Sequence, residues 1–345
     1  MAAAQVVLPC DDLEDTVDWF TAKCGFRLLM ISPADDPSIA LLEGHGLQVR
    51  LDRSESARDT KLRILVEDPN PKTLLGPNGT TIEFVHESPE VQLPANDPVF
   101  VHERMSDGAW GTGRAGMEYR DLIPDRQGGR FIASHIRILE GGPVDDYVHH
   151  HHIRFQMIFC HRGWAQLVYE DQGAPFRLEA GDCVLQPPHI RHQVLETSDE
   201  FEVVEIGSPA IHDTFRDHDM DLPTHVTDPA RLYDGQHFVR HIGDKSTWSD
   251  WRFEGFVSAT FDIETATEGL GDVCLVRTAE KTTQHSFTPD DEFLFWFIRS
   301  GTITLQRGDV LHVVRERDGL VLVAGEQYSL SDISPDLEIL EVRIP

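Results

Sequence analysis

Shifted by 138 residues, the last third of this chain falls onto its middle third. Phe100-Val101 meets Phe238-Val239, Trp110 meets Trp248, Arg114 meets Arg252, Gly163 meets Gly301 and Gly181 meets Gly319. With a two-residue slip, Gly129 and Arg137 meet Gly269 and Arg277. A constant offset this long implies two copies of a whole domain, since solenoid repeats recur every ~20–50 residues. Each copy is a series of short runs rich in Val, Ile, Phe and Leu, broken by Gly and Pro, which is the pattern of an antiparallel sandwich or barrel. The expected fold class is therefore mainly β. With 345 residues in all, a further domain fits ahead of the duplication.

That leading segment, residues 1–90, reads as β-α-β-β-β. A strand at Val6-Val7-Leu8 leads to Asp11-Asp12, acids suited to a helix start, and Leu13, Val17, Phe20 and Cys24 recur at helical spacing before Gly25. Strands are expected from Phe26 to Ile31, Ile39 to Leu42, Leu47 to Leu51 and Leu62 to Val66. A turn at Gly76-Pro77-Asn78-Gly79 precedes a last strand from Thr81 to Val85. The order, with the ending Pro-Asn-Gly-Thr-Thr-Ile-Glu-Phe, resembles the glyoxalase or vicinal-oxygen-chelate family. The resemblance implies a metal on a His or Gln of the first strand and a Glu of the last. Glu83 matches the second of these, and the first falls near Gln5 at the chain start. A scaffold or dimerisation role is the expectation for this module, because its second repeat is short. Residues 91–98, with two prolines, read as a linker.

The charge balance, 30 basic against 59 acidic residues, gives −29. Such a field repels nucleic acid and anionic membranes, and no apolar run reaches the length of a membrane span. Neither partner is expected. The start of the chain lacks the basic and apolar regions of a secretory signal, and the five cysteines are odd in number and sit inside apolar runs. They read as reduced, packed thiols, which points to the cytoplasm.

The chemistry concentrates at His149-His150-His151-His152. Alternate residues of a strand share a face, so two histidines of the run can converge on one point, and converging neutral imidazoles suit a transition metal. Gly142, His149-x-His151, Gln156 and Gly163 are followed by Gly181, Pro187, His189 and His192. At these spacings the residues resemble the two signature motifs of the cupin family, over most of residues 130–208. The resemblance implies two double-stranded β-helix (jelly-roll) barrels, a bicupin of the RmlC-like type. It places the copies at 99–224 and 225–345 and assigns the metal ligands as His149, His151, Gln156 and His192. Three departures stand out. Gln156 replaces the usual Glu and removes a negative ligand. His189 replaces a glycine, so it either lines the pocket mouth or is exposed, and it is the only nearby candidate for an acid–base residue. The pair His150-x-His152 also satisfies a looser form of the motif, although the wider gap favours His149 and His151, with the other two facing solvent. Arg154 would share the face of Gln156 in a regular strand and is a candidate for gripping a substrate carboxylate, or else for an outward salt bridge. Cys160 and Ile158 read as apolar pocket wall, and His161-Arg162 as a polar turn.

In the second copy the shift places Phe287, Pro289, Leu294 and Leu330 at the four ligand positions. That barrel is expected to be packed and metal-free, a structural support or part of a homodimer interface. Taken together, the sequence points to an enzyme acting on a small oxygenated organic molecule with one divalent metal. The resemblance favours a dioxygenase with Fe(II), while Mn, Ni, Zn or Cu suit the same ligands. A non-redox isomerase or lyase acting on a sugar acid is the alternative, and a non-catalytic ligand-binding or sensor protein is a further one.

Overall fold

In a computed structural model the protein is described over residues 3–10, 12–44, 46–53, 61–66, 70, 72–75, 81–86, 90–280 and 284–345. The chain forms two compact units. One gathers Met1–Gln92, Tyr147–Ile153 and Ile211–Met220; the other gathers Leu93–Asp146, Arg154–Ala210 and Asp221–Pro345. Among the described residues no helix is long and apolar enough to cross a membrane.

The first unit is built from β1 (Ala3–Pro9), α1 (Leu13–Cys24), β2 (Arg27–Ser32), β3 (Ile39–Gly44), β4 (Leu47–Asp52), β5 (Lys61–Val66), β6 (Lys72–Leu75) and β7 (Thr81–His86). Asp12 caps the helix by accepting from the Asp15 amide at 3.0 Å, and Gly25 closes it at φ 72°. The apolar stripe of α1, Leu13, Val17 and Phe20, packs against Ile31, Ala40, Leu42, Val49 and Leu51. β1 runs parallel to β4 and antiparallel to β5, which in turn runs parallel to β7. The short β6, absent from the sequence expectation, pairs with β7. The expected turn at Gly76-Pro77-Asn78-Gly79 lies outside the described residues. β2 is flanked by the strand Asp213–Arg216, with Met30 beside Phe215, and that strand pairs with His149–His152. Residues Asp213–Arg216, which carry no strand pattern of their own in the sequence reading, thus contribute a strand. Its partners lie far away in sequence, so local pattern could not reveal the pairing.

The second unit holds both copies. Their core strands correspond: Phe155–Arg162 with Phe293–Ser300, Trp164–Tyr169 with Thr302–Arg307, and Phe201–Ser208 with Glu338–Ile344. Each copy bulges at the same place, between Cys160 and Arg162 and between Ile298 and Ser300. Each then turns through a left-handed glycine, Gly163 or Gly301, where any side chain would collide with the Ser198 or Ser334 hydroxyl. Those hydroxyls accept the next amide, from Trp164 at 3.0 Å and from Thr302 at 2.8 Å. Even the stacking of Arg137 over Trp110 recurs as Arg277 over Trp248, both at 3.8 Å.

The copies also exchange edges. Val101–Glu103 pairs with Gly319–Leu322 of the second copy, while Val239–His241 pairs with Cys183–Leu185 of the first. Each opening strand therefore completes the other's sheet. Behind these edges the two large sheets pack face to face. Phe131, Phe155, Met157, Phe159, Val204 and Ile206 meet Phe261, Phe293, Phe295, Phe297, Leu340 and Val342. The rings of Phe131 and Phe293 stack at 4.2 Å.

The second barrel is filled by Phe256, Val276, Leu294, Trp296, Ile303, Leu305, Tyr328 and Leu330, with Phe287 packed against them. Three of its four ligand-equivalent positions thus belong to apolar packing. Nearby in sequence, His285 stacks on Phe253 at 5.1 Å and Glu292 pairs with Arg130 at 2.8 Å. Cys160, Cys183 and Cys274 are free, buried thiols, and burial pushes each of them upward in pKa. Truncating Leu294 to Ala should cost about 2–5 kcal/mol of stability, read from denaturant unfolding, because the void sits in a closed core. A loss below ~1 kcal/mol would show that this barrel is loosely packed.

A polar cluster interrupts the seam between the sheets. His135 is fully buried and its Nε2 lies 2.9 Å from Glu202, which Arg317 also approaches at 3.3 Å. His161, expected in a polar turn, is instead covered, with 7% of its side chain exposed. Burial drives its pKa down to about 3, helped by His135 and the nearby arginines. Burial likewise lowers His135. Burial would raise Glu202, but the His135 hydrogen bond and the surrounding positive charge bring it below the ordinary carboxylate value. Both imidazoles resist a proton that the unfolded chain accepts near pH ~6.5. Their contribution is therefore fully present above that pH and is lost as pH falls toward the folded values, and protonation of Glu202 acts in the same direction. The thermal midpoint should drop between pH 7 and pH 4, and His161→Gln should flatten that slope. An equal slope in the variant would remove His161 from the account.

Candidate metal centre

The histidine run forms a strand, His149–His152, whose burial alternates. His149 is 1% and His151 7% exposed, while His150 and His152 are half-buried. The alternation selects His149 and His151 as the inward pair. The other two are not simply solvated as expected, because Phe215 stacks on the His150 ring at 5.3 Å. His192 opens the strand His192–Thr197 and is buried, with the Tyr169 ring stacked on it at 5.5 Å. The ligand atoms of His149, His151 and His192 lie within 4.8 Å of one another. Among the described residues this is the only such grouping of His, Cys, Asp or Glu.

Each imidazole is oriented through its Nδ1. His149 Nδ1 lies 2.7 Å from the Tyr147 carbonyl, His192 Nδ1 lies 3.0 Å from the Ile190 carbonyl, and His151 Nδ1 lies 2.9 Å from the Thr214 hydroxyl. A carbonyl only accepts, so in His149 and His192 the proton sits on Nδ1 and Nε2 carries the lone pair. The Thr214 hydroxyl can accept in the same way. Three such rings with Nε2 as the donor atom fit a divalent transition metal, and oxygen partners behind ligating imidazoles are what such sites use to fix the ring.

Gln156 is 1% exposed on the strand Phe155–Arg162. Its amide is held at both ends: Nε2 donates to Glu205 at 2.8 Å, and Oε1 accepts from Gln186 Nε2 at 2.9 Å. Gln186 Oε1 in turn accepts from the Tyr169 hydroxyl at 2.8 Å. Burial and the Glu205 charge push Tyr169 well above the usual phenol range, so it remains a donor. Cys160 belongs to the same barrel core, with Ile158 packed against it.

Other candidates are placed differently. His189 is half-buried and takes φ 65°, the left-handed conformation that explains the usual glycine there, and its carbonyl accepts from Arg191. Arg154 precedes the strand instead of continuing it. Burial lowers its pKa, Arg130 lowers it further, and the charge of Glu292 acts against both. Its carbonyl accepts from Gln236 at 2.7 Å. The chain bends at Arg154, just ahead of the strand, and the charges acting on its guanidinium are those of Arg130 and Glu292. In the first unit Gln5 donates to Gln48 at 2.9 Å, and Glu83 lies 3.5 Å from Arg63.

Two residues escaped the sequence reading. Glu205 lies on the strand Phe201–Ser208 with the same parity as Phe201 and Val203, both in the barrel core. An acid on the apolar parity of a strand was the available signal. His212 is buried with its ring 5.3 Å from His151, and nothing in its local sequence marks it.

At the level of sequence, no family model and no curated protein matches this chain. Solved structures do match in fold. Oxalate decarboxylase from Bacillus subtilis superposes with a TM-score of 0.52 at 11% identity, covering 75% of this chain and 78% of that one. The formate complex of Lactobacillus farciminis oxalate decarboxylase gives 0.52 at 11%, covering 73% and 88%. A Pseudomonas aeruginosa protein described as glyoxylate-induced gives 0.53 at 11%, covering 74% and 92%. The chain has the two-barrel cupin fold. At these identities the likeness concerns architecture alone, and the cupin reading of the site rests on the three histidines themselves.

Proposed function

We propose that this bicupin is a metal-dependent enzyme acting on a small oxygenated organic acid. The carrying observation is the convergence of His149, His151 and His192 with Nδ1 of each held by an oxygen. These three would hold one divalent ion, with Gln156 as the fourth donor. The ion supplies Lewis acidity and, as Fe(II), a centre for O₂. Because all four donors are neutral, an anionic substrate, which a chain of net charge −29 otherwise repels, would meet no negative donor bound to the ion. His189, half-buried near His192 in sequence, is assigned the proton-handling role.

Oxidative cleavage by O₂ is the reading that the three-imidazole set supports best. The second reading is a non-redox lyase or isomerase, supported by the fold shared with two oxalate decarboxylases. For the N-terminal unit we read a glyoxalase-like scaffold, supported by the β1–β4 parallel pairing and by the commitment of Gln5 to Gln48.

Protein purified without oxygen and loaded with iron should consume O₂ with a catechol, a diketone or a hydroxy acid. No uptake across that panel, with turnover of oxalate or a uronate by the Mn-loaded form, would replace the first reading by the second. Single Ala variants at His149, His151 and His192 should each lose most bound metal, while His150→Ala and His152→Ala keep it. Metal content following the second pair instead would overturn the ligand assignment.

A further inference from the structure

Three imidazoles and an amide leave a dication with no anionic partner among its donors. Yet a carboxylate stands one hydrogen bond behind the amide. In the pairing of Phe155–Arg162 with Phe201–Ser208, Ile158 lies opposite Glu205 and Gln156 opposite Gly207. Gln156 and Glu205 are therefore diagonal neighbours on one face, and the glycine opposite Gln156 contributes no side chain between them. The rest of that face is apolar, with Cys160 and Val203 in the core.

The hydrogen bonds have a direction. A carboxylate accepts, so Glu205 requires the Gln156 NH₂ and turns Gln156 Oε1 away from itself. Gln186 Nε2 donates to that oxygen, and the Tyr169 hydroxyl donates to Gln186 Oε1. Every amide in the chain is oriented by its two ends, a phenol donor and a carboxylate acceptor. A carbonyl oxygen has two lone pairs, so Gln156 Oε1 can accept from Gln186 and still donate to a cation. A reversed amide would present NH₂, which repels one.

We propose that Glu205 is a positioning residue that orients Gln156 and supplies, through it, the negative charge that the four donors lack. This rests on the metal reading above. Hydrogen bonding to a carboxylate polarises the amide and makes its oxygen a better donor, as carboxylates behind ligating histidines do. The sequence has thus placed the charge one residue further from the metal position without losing it.

The test is titration of the metal-free protein with Co(II) and Zn(II), read by affinity and by the visible Co(II) spectrum. Wild type should bind one equivalent and His192→Ala none. Glu205→Gln removes the charge and allows either amide orientation, so affinity should fall about 10–100-fold, with an altered Co(II) spectrum. The exchange Gln156→Glu with Glu205→Gln rebuilds an amide–carboxylate pair in reverse order and should restore affinity to within about threefold of wild type, a range well below the ~10-fold loss from outer-sphere changes. A Glu205→Gln protein that binds as wild type, while His192→Ala does not, would overturn the inference and leave the metal reading standing. A loss that the exchange fails to restore would also overturn it, since the effect would not pass through Gln156. Absence of binding by wild type would remove the metal reading, and this inference with it.

Discussion

Two sheets packed face to face through phenylalanines hold the second unit together. Phe131, Phe155 and Phe159 from one copy and Phe261, Phe293, Phe295 and Phe297 from the other fill the seam. Close-packed interiors tolerate little change of volume, so this seam fixes both large sheets at once. The exchanged edge strands reinforce it, because each copy's sheet is completed by the other's opening segment. This packing does not depend on what stands at the ligand positions of either copy. The second barrel illustrates the point: Leu294 and Leu330 occupy two of the ligand-equivalent positions in its core, while its bulge, its left-handed glycine and its Arg–Trp stack are kept.

The candidate site depends on a different physics, that of polar groups held where water is scarce. Buried polar atoms need partners, and here the partners also orient the candidate donors. A carbonyl behind His149 or His192 fixes a tautomer, and a carboxylate behind Gln156 fixes an amide. The seam cluster of His135, His161 and Glu202 shows the same economy in a structural setting, where burial keeps both imidazoles neutral, while the His135 hydrogen bond and the nearby Arg317 keep the carboxylate charged against its own burial. One chain thus uses histidine in two ways, and burial pattern alone does not separate them. Geometry does, since among the described residues only His149, His151 and His192 bring their ligand atoms together.

Much was legible in the sequence. The offset of 138 residues carried the duplication, because structural glycines, tryptophans and arginines repeat wherever the same turn or stack must be rebuilt. The motif spacing carried His149, His151 and His192, because strand alternation is a local rule that survives any tertiary arrangement. The replacement of ligands by Phe287, Leu294 and Leu330 likewise marked the second barrel as packed. Tertiary structure alone decided what lies opposite those residues. It placed the strand Asp213–Arg216 beside the histidine run, put Thr214 behind His151 and covered His161 with the other copy's Phe297. It also set Glu205 against Gln156, because strand pairing joins residues that sequence order keeps apart.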